Sequence, residues 1–176
     1  KKKYSFISVL LLPISYLIQV LFFIKKKFIK KEHFSVPIIC VGNLYIGGTG
    51  KTPLAIKIAT KFIKKNKNPA IIKKLYNDQA DEIQLVKEKT GRLITGLTRK
   101  EAANKAIERN FDLLILDDGF QDHSINKNLN ILCFNSNQLI GNGLCIPSGP
   151  LRESFDSIKN SQIVIINGNE NKEFEK

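Results

Sequence analysis

The hexapeptide Gly47-Gly-Thr-Gly-Lys-Thr52 constrains this chain more than any other feature, because of what stands on either side of it. Before it, Pro37–Val41 is a short apolar run of strand length. After it, Leu54, Ile58 and Phe62 recur every four residues with Ala55 and Ala59 alongside, which gives one apolar helix face. Gly47, Gly48 and Gly50 let backbone N–H groups close on a phosphate, with Thr49 between them, and the helix N-terminus adds a favourable dipole. In such a loop Lys51 would reach the β- and γ-phosphates of a nucleotide and the Thr52 hydroxyl would ligate Mg²⁺. Pro53 falls in the first helical turn, where its missing N–H costs nothing. The strict G-x-x-x-x-G-K-[ST] spacing asks for glycine at position 45, where Tyr45 stands. The plain alternative is a glycine-rich turn that happens to precede a helix.

A second element agrees with the phosphate-binding reading. Leu113-Leu-Ile-Leu-Asp117-Asp118 is an apolar strand ending in carboxylates, the pattern that holds a nucleotide's magnesium. Further strands are predicted at Ala70–Lys73, Leu93–Thr95, Ile131–Phe134 and Gln162–Ile166. Thr98 and Glu101 form a capping pattern that opens a helix through Arg109, with Ala102, Ala103, Ala106 and Ile107 as its face. Strand–helix alternation predicts an α/β fold of the P-loop NTPase type, a mainly parallel sheet with helices on both faces. Asp117 and Asp118 would then emerge at the same sheet edge as the glycine loop. The simpler reading makes them a pair of acids at a turn before Gly119.

Ahead of the domain, Tyr4–Ile24 runs for 21 residues without a charge. As one helix it would measure about 31 Å, against a hydrocarbon core of roughly 30 Å. The expectation is an N-terminal membrane helix, with residues 1–31 as anchor and 32–176 as nucleotide-binding domain. A helix lying in the interface is the alternative; Pro13, Gln19 and the serines weaken the span without excluding it. The chain carries 28 Lys plus Arg against 16 Asp plus Glu. Lys1 to Lys3 and the five lysines between Lys25 and Lys31 bracket the apolar run, so the basic excess points to a membrane surface and not to nucleic acid. By the positive-inside rule the domain faces the cytoplasm, where ATP is. Cys40, Cys133 and Cys145 have no ligand spacing and read as small buried hydrophobes. His33 and His123 read as loop residues.

Three segments together resemble the tetraacyldisaccharide 4'-kinase family: Val36-Pro-Ile-Ile-Cys-Val-Gly-Asn-Leu with Gly47–Pro53, Leu116-Asp-Asp-Gly-Phe-Gln121, and Gly141-Asn-Gly-Leu-Cys-Ile-Pro-Ser-Gly-Pro-Leu-Arg-Glu153. The resemblance implies transfer of the ATP γ-phosphoryl group to the 4'-hydroxyl of a membrane-embedded acylated glucosamine disaccharide phosphate. It implies an enzyme at the inner (cytoplasmic) membrane with ATP and Mg²⁺ as cofactors. It casts Asp81 of the Asp81-Glu82 pair as base toward that hydroxyl, and sets Gln121 beside the metal and reacting phosphate. Arg152 becomes a clamp on phosphate or transition-state charge, its planar fork suiting phosphate oxygens. Residue by residue, the plainer readings are acids in a first helical turn for Asp81 and Glu82, and a loop arginine paired to Glu153 or Asp156 for Arg152.

Two departures bear on activity. The family's Ser-Arg-Gly-Tyr segment after the second strand is replaced by Ile72-Lys-Lys-Leu-Tyr-Asn-Asp-Gln-Ala-Asp81, which is shorter and lacks the arginine. The family also implies a second α/β half with a histidine supporting the base, whereas this sequence stops at Lys176. The 176 residues alone are therefore expected to bind nucleotide but to transfer poorly. Two rivals remain at the level of sequence: a membrane-attached P-loop ATPase of the partitioning or targeting type, and a nucleotide-binding module without catalysis.

Overall fold

The computed structural model describes residues 4–76 and 80–169. Lys1 to Lys3 of the expected basic flank, residues 77–79 of the departing segment and residues 170–176 lie outside the described residues.

Six strands form one sheet: β1 (Ile38–Gly42), β2 (Pro69–Lys74), β3 (Leu93–Gly96), β4 (Leu113–Asp117), β5 (Leu129–Asn135) and β6 (Ile163–Asn167), in spatial order β3-β2-β4-β1-β5-β6. Every pairing is parallel. Helices α3 (Lys51–Ile63), α4 (Ala80–Thr90) and α5 (Arg99–Glu108) connect the first four strands. Each predicted strand is present within a residue or two of its expected ends.

Alternation along the strands explains why both faces are covered. Ile38, Cys40, Leu114 and Leu116 enter one apolar cluster with Ala102, Ala103 and Ala106 of α5. Val41, Leu113 and Ile115 enter another with Ala55 and Ala59 of α3 and Val86 of α4. Period-two side chains thus feed two cores, and a strand buried on both sides must read as a continuous apolar run. All three cysteines are buried within these cores. Burial pushes the Cys40 and Cys133 thiols up to about 11, so both stay protonated near neutrality.

The N-terminal run departs from expectation. It folds as two helices, α1 (Phe6–Leu10) and α2 (Leu12–Phe28), with Leu11 between them and a proline in the first turn of α2. Pro13 lacks the N–H that would carry one helix through, so a new helix starts there. The last turn of α2 also takes in Lys25, Lys26 and Lys27. No helix among the described residues is long and apolar enough to cross a membrane, which corrects the expectation of a single spanning helix over Tyr4–Ile24.

Parallel order sends successive connections to opposite sides of β1: β2 lies beyond β4, and β5 lies on the other flank. Open α/β sheets take their ligands at such a reversal, outside the carboxyl ends of the strands, here those of β1 and β4.

Candidate active site

The loop after β1 reaches α3 through two glycines in backbone regions that side chains rarely enter, Gly47 at φ 141° and Gly50 at φ 80°. Gly50 is the N-cap of α3 and contributes no side chain to capping it, so the first-turn N–H groups are left for an incoming acceptor. A side chain at Gly50 would also run into the Asn167 amide, 2.6 Å from an added Cβ. Tyr45, the departure from the strict spacing, is fully buried. Its ring packs on Phe134 and its hydroxyl accepts the Asn135 N–H at 2.6 Å. The position is part of the core, which a large side chain fills and a glycine would leave empty.

Asp117 ends β4 and is completely buried. Its Oδ2 accepts the Thr52 hydroxyl at 2.9 Å and pairs with the Lys73 ammonium at 3.0 Å, while its Oδ1 is buried with no partner. Of the three residues expected at the metal, Thr52, Asp117 and Asp118, the first two are therefore in direct contact. Asp118 turns away in a left-handed conformation, φ 57°. Arg152 Nη1 donates to both of its carboxylate oxygens, at 2.9 and 3.1 Å, and Lys51 stands 3.8 Å off. Asp118 is thus tied to cations and does not share the Thr52 contact. Arg152 pairs with Asp118, neither with Glu153 nor with Asp156. Gln121 donates to the Asn43 carbonyl at 2.7 Å, and its Oε1 faces Arg152 at 3.4 Å. Asp118, Gln121 and Arg152, from two separate sequence segments, form one cluster beside Lys51.

On the other flank, Asp81 and Glu82 open α4 with exposed side chains. Glu82 pairs with Lys73, which also holds Asp117. A continuous polar chain thus runs Glu82–Lys73–Asp117–Thr52 from α4 to the phosphate loop. Burial alone would lower the Lys73 pKa, but Asp117 and Glu82 outweigh it and hold it above its ordinary value, so the ammonium stays charged. Asp81 makes no such bridge.

Sequence reasoning missed Lys73 and Arg99. Lys73 sits in a strand whose other residues are almost all buried, and only 3% of its side chain is exposed. A charge in an otherwise apolar buried strand requires a partner, and that was the available signal. Arg99, at the start of α5, donates to the Asp118 carbonyl at 2.6 Å and lies 3.6 Å from Asp122. It fixes the turn that Asp118 occupies. His123 is more than a loop residue: Nε2 meets Glu153 Oε1 at 3.2 Å, and Ser157 donates to the other Glu153 oxygen at 2.9 Å. Burial raises the Glu153 pKa, but His123, Ser157 and the charge of Lys26 outweigh it and leave the carboxyl below its ordinary range.

The donor set suits a hard cation shared with phosphates. Among the described residues no group of three His, Cys, Asp or Glu side chains could hold a metal alone. Magnesium asks for less: one or two carboxylates, a hydroxyl, waters and phosphate oxygens. Thr52 and the orphaned Asp117 Oδ1 fit that requirement, and the uncapped start of α3 fits the phosphates.

Fold and site together define a P-loop nucleotide-binding protein of the open parallel α/β type. Within that class, the profile of the tetraacyldisaccharide-1-P 4'-kinase family matches residues 7–96 and 80–176, and the chain belongs to this family. The tetraacyldisaccharide 4'-kinase of Pelagibacter ubique is 48% identical over 169 residues, covering 96% of this chain and 53% of its own length. That of Francisella tularensis subsp. novicida is 33% identical over 167 residues, 82% of this chain and 52% of its own length. The chain spans about half the length of the curated relatives it matches. LpxK from Aquifex aeolicus, solved in complex with ATP, superposes with a TM-score of 0.76 at 26% identity, covering 91% of this chain and 58% of the other. The signal recognition particle 54 kDa protein of Aeropyrum pernix, TM-score 0.50 at 11% identity over 90% of this chain and 43% of its own, is alike in fold alone. The rival reading as a targeting-type ATPase thus gains no support beyond the shared fold.

Proposed function

We propose that this chain is the nucleotide-binding half of an ATP-dependent kinase that phosphorylates the 4'-hydroxyl of a tetraacyldisaccharide 1-phosphate, a lipid A precursor. The observation that carries this reading is the contact between Arg152 and Asp118 beside Lys51. It brings the Gly141–Glu153 segment, which a generic nucleotide switch has no reason to keep, onto the phosphate loop.

Bound there, Mg-ATP supplies the transferable phosphoryl group and the charge that neutralises its oxygens. The chain's own residues do the positioning. The glycine loop and the start of α3 cradle phosphate oxygens through backbone N–H groups, and Lys51 draws in the terminal phosphates. Thr52 and Asp117 would hold the metal, with Lys73 fixing the orientation of Asp117. Arg152 and Gln121 sit where charge grows on the transferred group, and Asp118 keeps the guanidinium aimed. Asp81, exposed at the start of α4, takes the proton of the acceptor hydroxyl, while Glu82 anchors that end of the helix to Lys73. Transfer of this kind depends on placement and electrostatics more than on covalent chemistry.

The acceptor is a lipid, and residues 1–31 are proposed to bring the domain to it at the cytoplasmic face of the inner membrane. Phe6, Ile7, Leu10, Tyr16, Phe23 and Phe28 are all exposed, and a lysine-rich stretch follows them. Such a surface suits helices lying in the interface, apolar face down. Vesicle flotation of a form lacking residues 1–31 tests the anchor: continued flotation would sink it. The reaction itself is tested with labelled ATP and a lipid A precursor in reconstituted membranes. Labelled disaccharide supports the proposal; free phosphate alone would favour an ATPase.

A further inference from the structure

Ser15 is the only buried residue of α2, on a helix whose other side chains are mostly apolar. Its hydroxyl donates to two successive carbonyls of the Gly141–Glu153 segment, Cys145 at 2.6 Å and Ile146 at 3.1 Å. A second contact joins α1 to the same segment, Asn142 Nδ2 to Ser8 Oγ at 3.5 Å. The segment is folded tightly back on itself. Ile146 N–H donates to the Leu151 carbonyl at 2.8 Å and Leu151 N–H to the Leu144 carbonyl at 3.1 Å. Asn142 braces the Leu144 N–H and the Ser148 carbonyl, and any side chain at Gly149 would collide with Asn142 and Leu144. The next residue, Arg152, donates its N–H to the Leu44 carbonyl at 2.6 Å and its guanidinium to Asp118.

We infer that Ser15 is a positioning residue: through the 142–151 turn it holds Arg152 against Asp118, so the N-terminal helix is a wall of the active site as well as an anchor. The chemistry follows from the setting. The Cys145 carbonyl also accepts the Gly149 N–H at 3.0 Å, but the Ile146 carbonyl takes its donor from Ser15, and against an apolar helix without that donor it would lose water and gain nothing. The cheapest relief is for the turn to tip its carbonyls outward, and Leu151 and Arg152 are hydrogen-bonded to that turn. Helix packing alone would be served better by alanine or valine at this position.

The consequence for activity rests on the proposed kinase reading; the mechanical coupling does not. Ser15→Ala and Ser15→Val are compared with Ser15→Thr, which keeps a hydroxyl. In the full-length enzyme, with ATP and the lipid acceptor in mixed micelles, the first two should lower kcat about tenfold, the scale of one lost buried hydrogen bond. KM for ATP should stay within about twofold, and Ser15→Thr should restore most of kcat. In an Arg152→Ala background, Ser15→Val should change kcat by less than about twofold, because both substitutions remove one function. Flotation on phosphatidylglycerol-containing vesicles should be unchanged. Amide exchange at residues 144–152 should speed up in Ser15→Ala whether or not any acceptor is phosphorylated. Unaltered exchange, or a full additional loss in the Arg152→Ala background, would overturn the inference. Faster exchange in a protein that transfers no phosphate would instead overturn the kinase reading and leave the coupling standing.

Discussion

Asp117 and Asp81 are proposed to serve the same phosphoryl group, and the fold treats them in opposite ways. Asp117 is sealed in the sheet, one oxygen held by Thr52 and Lys73 and the other without a partner. Asp81 stands exposed in the first turn of α4. A buried charge that must grip a metal is preorganised, at the cost of desolvation offset by fixed partners. A base that must meet a mobile lipid hydroxyl needs access more than rigidity. The metal side of the site is therefore tied to stability, and the acceptor side is nearly free of it.

Substitutions can break this contrast or sharpen it. Asp81→Asn should lower kcat by about 10²–10⁴-fold in the full-length enzyme while leaving the folding midpoint unchanged. A loss below tenfold would return Asp81 to a helix-dipole role. Asp117→Ala should cost about 3–5 kcal/mol of stability in urea titration, because it leaves the buried Lys73 ammonium with only the half-exposed Glu82 as partner. Mg-ATP binding should go with it. Glu82→Gln removes the other partner of the same lysine, but from a half-exposed position, so about 1 kcal/mol or less is expected. If Glu82→Gln proves as damaging as Asp117→Ala, depth of burial is not what separates the two corners.

The smallest effect belongs to Glu153, whose carboxyl is held below its ordinary value of 4.5 once His123 and its other partners outweigh burial. A folded-state pKa below the unfolded one gives stability that is complete above the unfolded value and disappears as pH falls through the folded one. Melting followed below about pH 4.5 should therefore decline less steeply in Glu153→Gln than in the parent. Parallel acid limbs in the two proteins would remove Glu153 from the account.

What sequence made legible follows the same contrast. The strands could be read because each is buried on both faces, which turns Leu113–Leu116 into an unbroken apolar run. Lys51, Thr52 and Asp117 could be picked out because local spacing brings them to one edge of the sheet. The Arg152–Asp118 pair could not, since 34 residues separate its members and only the tertiary turn of Gly141–Glu153 joins them. Lys73 was passed over because a lysine at a strand end reads as solvated until the neighbouring strand is known to end in a buried carboxylate. The uncharged N-terminal run promised one spanning helix by length alone, and Pro13 divided it. Ser15 within it carries no sign in sequence that its hydroxyl bonds the Gly141–Glu153 segment.

Tyr45 has an optical consequence. The chain contains no tryptophan and four tyrosines, and Tyr4, Tyr16 and Tyr76 are all exposed. Tyr45 is the one sealed phenol, at the root of the phosphate loop, with its hydroxyl on the Asn135 N–H. Burial raises its pKa, although the Asn135 bond works the other way. Its near-ultraviolet bands should be sharp where those of the three exposed rings are broad, and should shift when the loop closes on a ligand. The chain thus carries an intrinsic chromophore at its proposed nucleotide site, readable without any label.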